Sequence, residues 1–126
     1  MRKKNERLTD EILAAHGARP DLILWRNATA KAWVGKYTGR TVMGEVTLLG
    51  GVMIHAGLCE GSSDLIGILK DRDGRGRFVA LEVKMSNTRT TTEQERFLAA
   101  VRDMGGIAAV VRSLEEVTYH LGEPNG

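Results

Sequence analysis

A strand–helix–strand pattern in the second half of the chain limits its possible folds more than any other feature. Residues 78–84, Phe-Val-Ala-Leu-Glu-Val-Lys, read as a strand. Thr91 and Thr92 then stand three residues before Gln94 and Glu95, giving two overlapping capping-box matches. The helix they open, over residues 92–104, carries Phe97, Leu98, Val101 and Met104 along one face and stops at Gly105-Gly106. Residues 107–111 follow as an unbroken apolar run, as in a strand buried on both faces. Strand, helix and strand in that order predict a right-handed βαβ unit, which needs a sheet with helices over its faces. Just upstream, residues 64–69 form another short apolar strand, and the polar, Gly-containing stretch 70–77 folds it back on residues 78–84 as a hairpin. Ser113, three residues before Glu116, caps a last helix with Leu114, Val117 and Leu121 inward. The predicted class is α/β: a central mixed β-sheet flanked by helices, with a βαβ unit after the hairpin.

The first half is less sharply patterned. Residues 8–15 read as a short helix, with Leu8, Ile12 and Ala15 at helical spacing and a stop at His16-Gly17. Residues 22–25, 32–34 and 46–54 look like strand material, broken by Gly35, Gly39, Gly44 and Gly50-Gly51. At 126 residues without repeats or a Pro/Ser-rich linker, the expectation is one domain over residues 1–126. Trp25 and Trp33 are expected in the core of a chain so poor in aromatics, with base stacking as the alternative.

Composition excludes several function classes. The lone Cys59 forms no intramolecular disulfide, and His16, His55 and His120 are too dispersed for zinc-ligand spacing. No apolar run reaches the ~20 residues that cross a bilayer. The charged start lacks the apolar stretch of a signal peptide, so a soluble, cytoplasmic protein is expected. A formal charge of +2 permits a nucleic-acid partner without demanding one.

Three ionisable residues gain interest from where the strands place them. Alternation puts Glu82 and Lys84 on one face of their strand, with Val83 pointing the other way. A charge in an apolar strand that a helix will cover costs several kcal/mol unless something pairs with it. In the hairpin, Asp64 at the start of one strand lies opposite the end of the other, near Glu82 and Lys84. Two carboxylates brought together repel, and hard oxygen ligands at an open site suit Mg²⁺ or Mn²⁺. The bland reading of the same residues is a salt bridge on an exposed sheet face. Gln94, at the first turn of the following helix, either satisfies a buried backbone group or bonds Lys84, water or phosphate.

Taken together, Gly61-Ser62-Ser63-Asp64-Leu65-Ile66-Gly67, Leu81-Glu82-Val83-Lys84, Thr91-Thr92-Glu93-Gln94 and Gly105-Gly106 with Ala109-Val110-Val111-Arg112-Ser113 form an ordered set. In order and spacing it resembles the VRR-NUC domain, a branch of the PD-(D/E)XK nuclease superfamily common in phage and bacterial genomes. The resemblance covers residues 57–121, with a weaker echo at the N-terminal helix. It implies a restriction-endonuclease-like fold and metal-dependent hydrolysis of DNA, with branched, flap or four-way-junction DNA as the substrate class. It makes Asp64 and Glu82 metal ligands and Lys84 the catalytic lysine, and Gln94 matches the glutamine of the covering helix. The backbone carbonyl of Val83 would complete the shell around one or two Mg²⁺ or Mn²⁺ ions. Glu11 is the candidate for the acidic residue of the first helix, with Glu6 and Asp10 as alternatives. Ser63 stands where the superfamily's name has proline, and Pro20-Asp21 lies too far from Glu82 to form the hairpin. Similar stand-alone domains imply a homodimer. Phosphate contacts are expected from Arg26, Lys31, Lys36, Arg40, Arg89 and Arg112, each of which also reads as solvated surface charge. Two rivals remain at this level: a catalytically silent DNA-binding or assembly subunit on the same fold, and a module whose three charges form a structural ion cluster.

Overall fold

The computed structural model describes residues 4–28, 30–85 and 87–124, and the side chains of residues 4, 30–32, 55 and 56 lie outside that description. Along the chain come α1 (Lys4–His16), β1 (Leu22–Arg26), β2 (Ala30–Arg40), β3 (Val46–Ala56), β4 (Leu65–Lys70), β5 (Gly76–Val83), α2 (Thr92–Asp103), β6 (Ile107–Val111) and α3 (Leu114–Leu121). The strands fall into two sheets, a four-stranded one in the order β1-β4-β5-β6 and a two-stranded one of β2 and β3. In the larger sheet β1, β4 and β5 are antiparallel neighbours, and β6 adds parallel to β5. This is the expected mixed sheet, with α2 as the crossover between its two parallel strands.

Alternation along β5 divides the core into two. Val79, Leu81 and Val83 face α1 and α3, packing with Leu8, Ile12, Val117 and Leu121. Ala80 faces α2 and packs with Leu98 and Ala108, and Phe78, Phe97, Val101 and Val110 close the same layer. β6 is an edge strand, yet helices on both faces account for its unbroken apolar run. Thr91 and Gln94 make the reciprocal capping box that opens α2. Ser113 caps α3 by accepting from the Glu116 backbone N–H at 3.2 Å.

Three expectations need correction. The first helix starts at Lys4 rather than residue 8, which brings Asn5 and Glu6 into its first turns. Met104 is 90% exposed, because α2 ends at Asp103 and the C-cap residue turns away from the apolar face. Trp25 and Trp33 are exposed rather than core, Trp33 at 65%. Trp25 stands on β1, the edge strand of the larger sheet, and Trp33 on the ribbon of β2 and β3, which none of the described helices covers.

That ribbon has two strands of 11 residues each, longer than the sequence pattern indicates. Most of the expected glycine breaks are absorbed as irregularities. The pairing steps from Val34↔Val52 to Lys36↔Leu49, with Gly50 in the left-handed region at φ 63°. An extra residue on β3 is a bulge that bends the ribbon without ending it. Gly44 does mark a turn, where the Thr41 N–H donates to the Glu45 carbonyl at 2.8 Å. Among the described residues no helix is long and apolar enough to cross a membrane.

Candidate metal and phosphodiester site

Glu82 is the centre of the site. It sits near the end of β5 on the face covered by α2 and is 2% exposed. Burial pushes its carboxyl up to about 8, the neighbouring Asp64 carboxylate adds to the push, and Lys84 opposes it. Its Oε1 accepts from Gln94 Nε2 at 3.0 Å and lies 3.7 Å from Lys84 Nζ. Its Oε2 is buried without a hydrogen-bond partner. Such an orphan in a protein interior is costly and needs an explanation.

Asp64 immediately precedes β4, and the hairpin register Leu65↔Leu81 sets it beside the end of β5. Its Oδ2 accepts the Val83 backbone N–H at 2.9 Å. Gly61, at the head of the same loop, adopts φ 80°, and a Cβ there would stand 2.7 Å from backbone atoms of Glu93. Only glycine lets the loop lie so close against the first turn of α2, where Gln94 resides. Gln94 does two jobs at once: its Oε1 accepts the Thr91 N–H at 2.9 Å, and its Nε2 reaches Glu82. The expected backbone bond is made, to the Thr91 N–H, and the other end of the side chain goes to Glu82 rather than to Lys84, water or phosphate.

An open pocket lies beside Asp64, lined by Asn5, Glu6, Thr9, Arg26, Asn27, Ala28 and Asp64. The helix α1 acid on this pocket is Glu6. Glu11, the first choice from sequence, is exposed and does not line it. Five residues at 100° each carry Glu11 roughly 140° around the helix from Glu6, away from the side that Asn5 and Thr9 present to the pocket. Asp10 pairs with Arg26. Asn27 was not singled out from sequence, and its position directly after an apolar strand is the only local signal it carries.

The candidate phosphate contacts separate into groups. Arg26 lines the pocket next to Asp64. Lys36 and Arg40 are exposed on the ribbon, and Arg89 is exposed in the loop between β5 and α2. The Lys31 side chain lies outside the described residues. Arg112 is a structural residue rather than a free contact, since its Nη1 donates to the Met85 and Thr88 carbonyls. Its guanidinium closes the loop that follows β5 and is not presented to solvent as a bare charge.

Among the described residues no group of three or more His, Cys, Asp or Glu converges. Mg²⁺, however, is commonly held by one or two carboxylates, with water and substrate phosphate completing its shell. Asp64 and Glu82 supply that pair, and Glu82 Oε2, buried with no hydrogen-bond donor, is an oxygen that a cation could engage. The residues fit the ion.

A search of curated proteins found no match. The model of the VRR-NUC domain matches residues 53–115, which is half of the chain's 126 residues. That span runs from β3 into α3 and takes in Asp64, Glu82, Lys84 and Gln94. A mixed sheet of the restriction-endonuclease type and a match of that extent lead to one conclusion: the chain belongs to the VRR-NUC family of nuclease domains.

Proposed function

We propose that residues 1–126 act as a single metal-dependent DNA endonuclease domain, directed at branched, flap or four-way-junction DNA. The observation that carries this reading is the buried Glu82 carboxylate, with one oxygen held by Gln94 and the other unpartnered, beside Asp64. Asp64 and Glu82 would hold Mg²⁺ or Mn²⁺, with the Val83 carbonyl as a third oxygen. When bound, the ion supplies a Lewis acid that lowers the pKa of an attacking water and screens charge on the phosphoryl oxygens. Gln94 fixes Glu82 Oε1 and leaves Oε2 for the cation. Lys84, mostly buried beside Glu82, would direct its ammonium at the attacking water or at the negative charge developing on the phosphoryl oxygens. Arg26 on the pocket, with Lys36, Arg40 and Arg89 farther out, supplies phosphate contacts that carry no sequence information. Glu6, which lines the same pocket as Asp64, is the α1 acid that would assist a second ion.

The reading includes a homodimer, because both faces of the ribbon expose large apolar side chains, a pattern of surfaces that meet another protein. A monomer in light scattering at micromolar concentration would count heavily against it.

The deciding test is a cleavage assay on labelled linear, flap and four-way-junction DNA with Mg²⁺, Mn²⁺ or EDTA. Asp64→Ala, Glu82→Ala and Lys84→Ala should each lower cleavage by about 10²–10³-fold or more while the fold survives. Full activity in any one variant removes that residue from the mechanism. DNA binding without cutting would favour a silent subunit on the same fold.

A further inference from the structure

We infer that Asn27 is a positioning residue for Asp64, an inference that rests on the metal-site reading above. Asn27 stands where β1 ends and the chain turns out into the ribbon, and it is 9% exposed. Its backbone N–H donates to the Asp64 carbonyl at 2.8 Å. Its Nδ2 donates to Ser62 Oγ at 2.7 Å and to the Ser63 carbonyl at 2.9 Å. Its Oδ1 accepts the Leu58 N–H at 2.9 Å. Ser62 Oγ carries the network on by donating to the Cys59 carbonyl at 2.6 Å. The side chain thus ties Leu58, Ser62 and Ser63 together, while the backbone N–H holds Asp64 at the end of the same segment.

The two ends of Asp64 are held from opposite directions. Asn27 holds its main chain from the β1 side, while the Val83 N–H of β5 holds its carboxylate. The remaining freedom of the carboxylate is then small, which is what a metal ligand needs. A carboxamide suits the position because it offers two donors and an acceptor within the same short reach. Aspartate would keep the acceptor for Leu58 but present a carboxylate to the Ser63 carbonyl. Alanine would leave the Leu58 N–H and the Ser63 carbonyl without this partner.

The test is Mn²⁺ titration by calorimetry on the full chain, comparing the unaltered protein with Asn27→Ala, Asn27→Asp and Ser62→Ala. Loss of an outer-shell partner commonly weakens metal binding by about 10–100-fold; both Asn27 variants keep the backbone bond to Asp64, so a loss of about 10-fold is expected for each. Ser62→Ala removes one acceptor and should give a smaller loss in the same direction. DNA binding in EDTA should be unchanged, and cleavage should return as Mn²⁺ is raised. A folded Asn27 variant, checked by circular dichroism, that binds Mn²⁺ as tightly as the unaltered protein overturns the inference. Should neither Asn27 variant fold, unaltered Mn²⁺ affinity in Ser62→Ala overturns it instead. Failure of the unaltered protein itself to bind Mn²⁺ would defeat the metal-site reading, and the role of Asn27 with it.

Discussion

The four-stranded sheet and the β2–β3 ribbon are both built from strands rich in apolar residues, yet they stand in different relations to water. In β5 the last five residues are buried, and every one of them packs on a helix or serves the site. In the ribbon Trp33, Val34, Tyr37, Leu49, Val52 and Met53 all lie exposed. Both regions pair their strands, β4 and β5 along two edges and β2 and β3 along one each, but pairing joins backbones and does not bury side chains. What separates them is cover: helices flank the sheet on both faces, and none follows the ribbon strands in sequence. Apolar strand composition therefore records an ability to be buried, and only a partner element converts it into stability. A lone two-stranded ribbon is marginal in water, so its apolar faces are available for binding.

The comparison breaks most visibly at Leu98, the α2 side chain at the centre of the second core layer. Leu98→Ala should cost about 2–5 kcal/mol in chemical denaturation, the range for emptying a packed leucine site. A loss below 1 kcal/mol would mean that α2 does not hold the sheet as described.

The buried charge gives the next effect, and its sign follows from linkage. The folded-state value of Glu82 lies above the ordinary 4.5, at about 8, so the folded chain keeps a proton that the unfolded chain releases in that window. In EDTA, stability should therefore fall as pH rises from 4.5 to about 8. One such proton contributes a slope of at most about 1.4 kcal/mol per pH unit. Glu82→Gln should lower that slope, as measured by denaturant midpoints across pH. An unchanged slope would remove Glu82 as its source.

A smaller loss is expected at the cap of α2. Thr91→Ala removes the acceptor of the Gln94 N–H and should cost about 1 kcal/mol in thermal or chemical melts.

The ribbon should respond least. Leu49→Ala should shift stability by no more than about 0.5 kcal/mol, as for other surface positions. A loss matching that of Leu98→Ala would show that something covers the ribbon in solution. Tryptophan emission sharpens the same point: at low concentration it should be red-shifted and open to acrylamide quenching, since Trp25 and Trp33 are both exposed. Quenching that fades as protein concentration rises would place a second copy over Trp33.

Much of this molecule was legible in the amino-acid order, for local reasons. Strand alternation alone puts Glu82 and Lys84 on one face, and the spacing of Thr91 and Gln94 alone specifies a capped helix over that face. The hairpin between β4 and β5 brings Asp64 to Glu82 because the turn between them is short and polar. Other features were decided only by tertiary structure. Helical periodicity places Glu6 and Glu11 on different sides of α1 but cannot say which side meets Asp64, because that depends on how α1 docks on the sheet. The exposure of Trp33, the commitment of Arg112 to the Met85 and Thr88 carbonyls, and the four bonds of Asn27 to residues 31 to 37 positions away share one cause. Each rests on contacts between segments distant in sequence, and their geometry exists only once the sheet, its helices and the ribbon have taken their places.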